Sequence, residues 1–260
     1  MRPLLRAASA IAVVGALTSG CAGAGRSVRT AAAPSAATDS GEGGSASDSG
    51  SVPPVSPSPT PSSTADTTLP NLGPKTLAEV PADSGQVLEV VGAGLDSSNA
   101  TVVLYQWSGA GWQAGPSWPA HNALRGWTAD KQQGDLRSPI GVFGLTDAGG
   151  LDPDPGTKLP YYRSSEFVAA GRGFEGEPLA GSFDYVIAIN YNRKAGVSPL
   201  DTTYPLGWEK GTGVWIHVDH GGPTHACVSI PRQDIVTLLG ELDPSLHPVI
   251  VMGDAADLAR

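Results

Sequence analysis

The sequence predicts a mostly β fold of the α+β class, and three observations carry that prediction. Beyond about Lys75 the chain breaks into short runs rich in Val, Ile, Tyr and Trp, divided by Gly, Pro, Asn and Asp, the alternation expected of strands and turns. Only one segment shows a sustained 3,4 apolar spacing, which marks a single amphipathic helix. The connections are long and rich in glycine and proline, notably DAGGLDPDPGTKLPYYRSS from Asp147 to Ser165. Loops of that length in a compact domain border functional clefts or move.

Two segments precede the β-rich part. Met1 to Cys21 opens with Arg2 and Arg6, continues through an apolar run from Ala7 to Leu17 and leaves through Thr18, Ser19 and Gly20, the three parts of an export signal. The run is shorter than the roughly 20 residues that a membrane span requires, so no transmembrane helix is expected. From Ala22 to Pro74, 41 of 53 residues are Ala, Gly, Pro, Ser or Thr, and no aromatic residue occurs before Tyr105. Such a segment cannot bury enough apolar surface to offset its ordering entropy, and is expected to be a disordered tether. Its reach is about 40 Å as a coil and about 160 Å if drawn toward polyproline geometry.

The domain is expected over residues 75–254, with a tail at 255–260. Gln86 to Gly94 and Ala100 to Trp107, joined by LDSSN, read as a hairpin. Gly141 to Leu145, Asp184 to Asn192 and Gly213 to Val218 read as further strands. The helix is placed after Pro231, which suits a first helical position, with Ile235, Val236, Leu238, Leu239 and Leu242 as its apolar stripe and Asp243–Pro244 as its stop. Pro248 to Gly253 reads as a closing strand. Most of the sixteen aromatic residues are expected to fill the core and its loops.

Charge and cysteine count narrow the function. A formal net charge of -9 argues against nucleic acid or an anionic membrane surface as the main partner, since both favour basic patches. There are two cysteines, Cys21 and Cys227. An exported protein meets oxidising conditions, but Cys21 sits at the end of the signal, so Cys227 has no structural partner and is flagged as a reactive thiol.

The chemistry concentrates in IHVDHGGPTHACVSIP, Ile216 to Pro231, which holds His217, His220, His225 and Cys227. Cysteine is nucleophilic as its thiolate, and a histidine across a short loop can take the proton and later return it to a leaving amine. His217 is the candidate base and acid, and Cys227 the candidate nucleophile. Zinc is the rival reading, because all four residues are ligand types. Their spacing, one strand end and one short loop, is unlike the paired knuckles that usually hold zinc, so no metal is expected. His220 reads as a loop residue, and His121 and His247 as surface or packing residues.

On these residues the chain resembles the L,D-transpeptidase (YkuD-like) catalytic domain. IHV followed by THACVSIP is similar to the family's strand histidine and its Ser/Thr-His-Gly-Cys segment. GDLRSPIGVFGL, Gly134 to Leu145, is similar to the family's Gly-Asp-x-x-Thr-Pro-x-Gly-x-Phe run. LTSGC before the linker resembles a bacterial lipobox, which places a lipid on Cys21; the alternative is an ordinary leader cut near Ala22 or Ala24.

The resemblance implies a YkuD-like β-sandwich or mixed sheet and a cofactor-free cysteine acyltransferase on peptidoglycan stem peptides. Cys227 would form a thioester and release D-alanine, and a neighbouring stem amine would then complete a 3-3 cross-link. A carboxypeptidase on the same substrate and a weakly active envelope-binding lipoprotein are the alternatives. Backbone N–H groups around Ala226 and Cys227, with His225 and Thr224 in support, would hold the oxyanion. The implied location is the outer face of the cytoplasmic membrane or the cell wall. A monomer is expected, anchored in the membrane only through Cys21. Two departures bear on activity: Ala226 stands where the family has glycine, and a positive φ there would cost on the order of 1 kcal/mol; and the loop from His217 to Cys227 is shorter than in the best-known members, with Val218 and Ser229 where serine and a polar amide often stand.

Overall fold

The computed structural model describes residues 67–260. The expected leader, Cys21 and the linker through residue 66 lie outside them. Among the described residues no helix is long and apolar enough to cross a membrane. The fold is mostly β, as expected. In chain order, helix α1 (Pro74–Glu79) leads into strands β1 (Gln86–Gly92), β2 (Asn99–Trp107), β3 (Trp112–His121), β4 (Trp127–Thr128), β5 (Ser138–Pro139), β6 (Gly141–Gly150), β7 (Tyr161–Arg163), β8 (Val186–Ile189), β9 (Trp215–Val218) and β10 (Val228–Ile230). Helix α2 (Arg232–Glu241), strand β11 (Val249–Asp254) and helix α3 (Ala255–Leu258) complete it.

The expected sandwich or mixed sheet is a sheet that closes on itself. The strand order is β11-β1-β2-β3-β10-β9-β8-β6, and β11 pairs back onto β6, so eight strands form a barrel with β7 on the flank of β6. Closure covers the edges that a sheet otherwise leaves for misassociation, except along β3, which meets β10 at one residue pair. Two contacts in the barrel are parallel, β1 with β11 and β9 with β10; β11 closes antiparallel on β6 with Val249 opposite Gly144.

The interior is filled by Leu88, Val90, Val102, Leu104, Ile187, Ile216, Val228 and Ile250, and α2 lays Ile235, Leu238, Leu239 and Leu242 onto the same cluster. Those four are fully buried while Val236 is only partly so. Each fully buried aliphatic side chain is worth about 1.5–3 kcal/mol, so the stripe, more than propensity, fixes the helix. Pro231 is its N-cap rather than its first residue.

Four elements depart from expectation. β3 is a ten-residue strand within WQAGPSWPAH, where prolines argue against a ladder position. It is tolerated because β3 meets β10 only at His121 opposite Ser229, which leaves most of that side open, and Pro116 falls at the bulge between Val103 and Tyr105 of β2. β10 was not anticipated either. The strand expected over Asp184 to Asn192 is held to Val186–Ile189, with Asn192 at φ 44 breaking it. The expected tail is also packed: α3 buries Leu258, and Leu69 and Leu72, assigned to the linker by composition, join it against Val87, Tyr105 and Val251 on the outside of the barrel.

Candidate active site

The parallel pairing of β9 with β10 places His217 opposite Ser229 and brings Cys227, the residue before β10, beside the start of β9. There the Trp215 N–H donates to Cys227 Sγ at 3.4 Å, and the thiol in turn donates to the Gly213 carbonyl at 3.5 Å. The turn that presents the cysteine is anchored from below. Thr224 Oγ1 donates to the Cys227 carbonyl at 2.7 Å and Ser138 Oγ at 3.4 Å, while Thr224 exchanges backbone bonds with Asn122 and Leu124. Thr224, expected near the oxyanion, therefore spends its hydroxyl on holding the turn.

His217 and Cys227 line one cavity of about 210 Å³, closed on other sides by Leu179, Phe183, His220 and His225. His217 is 3% exposed. Its Nδ1 lies 2.9 Å from the Val218 carbonyl; a carbonyl only accepts, so Nδ1 carries the proton and Nε2 keeps its lone pair. Burial pushes the His217 imidazole down to about 4 against the pull of that bond, and the charge on His220 adds to the fall. Burial pushes the Cys227 thiol up to about 11, with the Trp215 N–H and the Lys131 ammonium pulling the other way. The resting pair is thus a neutral thiol beside a neutral base, not a thiolate–imidazolium pair.

Ala226 is buried in the core cluster. Among the described residues the non-glycine positions with positive φ are Leu136, Asn192 and His247, so the strain expected at Ala226 does not arise. His225 is exposed at the mouth of the cavity with its ring 4.8 Å from that of Phe174.

Three partners escaped the sequence reading. His220 is no free loop residue: its side chain is 6% exposed, its ring stacks on His217 at 5.7 Å and 12°, and its Nδ1 lies 3.2 Å from Glu177 Oε1. Glu177 comes from the loop between β7 and β8 and accepts the Glu175 N–H at 2.8 Å. A Cβ at Gly173 or Gly222 would run into its carboxylate. An acid among Gly171, Gly173 and Gly176 was the available signal. His121, expected as a surface or packing residue, is half-buried and sits 2.8 Å from Asp219 Oδ1, which also accepts from Ser229 Oγ at 2.7 Å. Burial pulls the Asp219 carboxyl upward, and these two bonds outweigh it to hold it below its ordinary value. His247 does remain at the surface, paired with Asp83 at 2.9 Å.

A larger cavity of about 510 Å³, lined by Trp107, Trp112, Asp83 and His247 among others, lies where β1 and β11 begin. Its hydroxyl groups are Ser84 and Ser245, with no cysteine among its lining, and the smaller cavity is the one that brings a thiol, Cys227, together with His217. Among the described residues no three His, Cys, Asp or Glu side chains converge as a metal-ligand set.

No family model matches the sequence, and no curated protein matches it. Among solved structures the chain is similar to that of Bdellovibrio bacteriovorus Bd1075, with 16% identity and a TM-score of 0.38 over 72% of this chain. The match covers 53% of that protein, about half its length. A likeness of this size carries no functional information.

Proposed function

We propose that the chain is a cysteine acyltransferase with a YkuD-like domain, an L,D-transpeptidase acting on peptidoglycan stem peptides. The observation that carries the reading is the cavity shared by Cys227 and His217, in which the imidazole is neutral and offers Nε2 as a base. As the Cys227 sulfur attacks the carbonyl of the third stem residue, His217 removes its proton, so thiolate forms only in step with attack. The backbone N–H groups of Ala226 and Cys227 are the proposed oxyanion donors, with His225 framing the entrance. His217 then protonates the departing D-alanine nitrogen, leaving a thioester. An amine from a second stem resolves it as a 3-3 cross-link, and water in its place would make the protein a carboxypeptidase.

Incubation with disaccharide-tetrapeptides tests this reading. D-alanine release with cross-linked dimer is expected, and Cys227→Ala abolishes both. Mass spectrometry after meropenem treatment is expected to show a single adduct on Cys227. A folded wild type that yields neither product nor adduct sinks the proposal.

One observation favours a second reading, a weakly active envelope-binding lipoprotein: a thiol pushed up to about 11 is a poor resting nucleophile. That reading expects muropeptide binding to survive Cys227→Ala without turnover by the wild type. In both readings the chain is exported, lipidated at Cys21 and tethered through the linker. Cys21→Ser is then expected to move the protein from the membrane fraction to the soluble envelope fraction, and unchanged fractionation would count against the anchor.

A further inference from the structure

We infer that Glu177 and His220 are a positioning pair for His217: Glu177 holds the His220 ring, and that ring backs the His217 imidazole in the plane from which it takes the Cys227 proton. This rests on Cys227 and His217 being the reacting pair. His220 lies parallel to His217 at 5.7 Å and backs it on that side, while Phe183 meets it edge-on at 5.3 Å. The Nδ1 of His220 is in turn 3.2 Å from Glu177 Oε1, with both side chains nearly buried. Backbone N–H groups, chiefly its own and that of Glu175, and then the charge on His220 hold the Glu177 carboxyl below its ordinary value against burial. Placing a carboxylate in such a setting is costly unless it is paired, and the imidazole facing it is the one stacked on the proposed base.

The cradle is specific to this carboxylate. Gly173 and Gly222 flank it so closely that a Cβ at either would push the carboxylate aside, and Phe174 of the same loop leans on His225. The loop around Glu177 therefore grips the His217–Cys227 segment at two points. The charged and titratable groups facing this centre are His220 and Asp219 toward His217, Glu177 toward His220, and Lys131 toward Cys227. Asp219 is already engaged by His121 and Ser229. Glu177 is the carboxylate in line with the stack. Glu177 acts on His217 through the His220 ring that it holds against the base, and the charge on that ring favours the neutral form of His217.

Two measurements on the full chain test this without any substrate. One is the rate of Cys227 alkylation by iodoacetamide against pH, and the other is the NMR titration of the His217 ring. Glu177→Gln is expected to slow alkylation roughly tenfold and to move the His217 midpoint to higher pH, because the charge on His220 that Glu177 supports lowers it, and Glu177→Asp to recover part of both. His220→Phe, which keeps a ring in the stack, is expected not to recover them. Should Glu177→Gln fail to fold, the Asp and Phe variants carry the test. Wild-type rates and an unmoved midpoint in the folded variants would overturn the positioning role, leaving only a structural clasp. A Cys227 that is inert in the wild type, with a His217 midpoint that still follows Glu177, would support the pair while sinking the acyltransferase reading.

Discussion

The buried His217 and the half-buried Cys227 line one cavity, and burial holds both toward the neutral form, with the thiol pushed up to about 11 and the imidazole down to about 4. His217 binds its proton less readily folded than unfolded. Between its ordinary 6.5 and about 4 the unfolded chain holds the extra proton, so the native state loses stability as pH falls, by about 3 kcal/mol across the window. Cys227 acts at the other end: its raised pKa means that stability falls as pH rises from 9.0 toward 11. Urea midpoints measured across pH check both, and His217→Gln should flatten the acid limb while Cys227→Ala flattens the alkaline one. An acid limb that survives in His217→Gln would show the shift to lie elsewhere. Ala226 gives a second test at this scale. With an ordinary backbone conformation and its methyl in the core, Ala226→Gly should lose about 1 kcal/mol in denaturant unfolding and gain no Cys227 reactivity. Faster alkylation would show that the methyl does obstruct the oxyanion turn.

At the scale of elements, the loop that carries Glu177 has the most to say. Gly222 is not among the positive-φ glycines, so Gly222→Ala should cost nothing in backbone strain; its methyl meets the Glu177 carboxylate instead. Slower Cys227 alkylation with a urea midpoint close to wild type is expected, and unchanged alkylation would mean that the carboxylate can move aside freely. The sequence disclosed elements in proportion to their periodicity. The β1–β2 hairpin and α2 carried clear alternation or 3,4 spacing, and both stand where that spacing put them. β3 stayed hidden because its prolines occupy a side the ladder barely uses. β10 is three residues long, too short for a period to show. The site divided likewise: Cys227 and His217 were legible because they flank a short loop after a strand. Glu177 was not, because a Gly-rich loop has no periodic face to reveal its direction, and His220 meets His217 only through a fold in the connecting turn.

For the whole molecule, closure of the barrel decides what can be altered without disturbing the site. β10 lies four strands from β11 in either direction round the ring, so the outer layer on β1 and β11 faces away from the Cys227 strand. That layer is pinned by the C-terminal residues. Asp254 caps α3 through the N–H groups of Ala256 and Asp257, Leu258 is 1% exposed, the Leu258 carbonyl accepts from Gly73 at 2.8 Å, and that of Arg260 accepts from Lys75 at 2.9 Å. Deleting residues 255–260 removes a buried leucine worth about 1.5–3 kcal/mol, the two backbone bonds from Gly73 and Lys75 of about 1 kcal/mol each and a longer, weaker one from Thr76 at 3.4 Å, while every strand pairing of β11 is kept. The deletion should lower the urea midpoint by an amount matching about 4 kcal/mol and raise binding of a hydrophobic dye as Leu69, Leu72 and Val251 lose their cover. Alkylation of Cys227 should keep its wild-type rate. If that rate fell in step with stability, the barrel would not insulate β10 from its far wall, and the residues next to Cys227 would not by themselves set its reactivity.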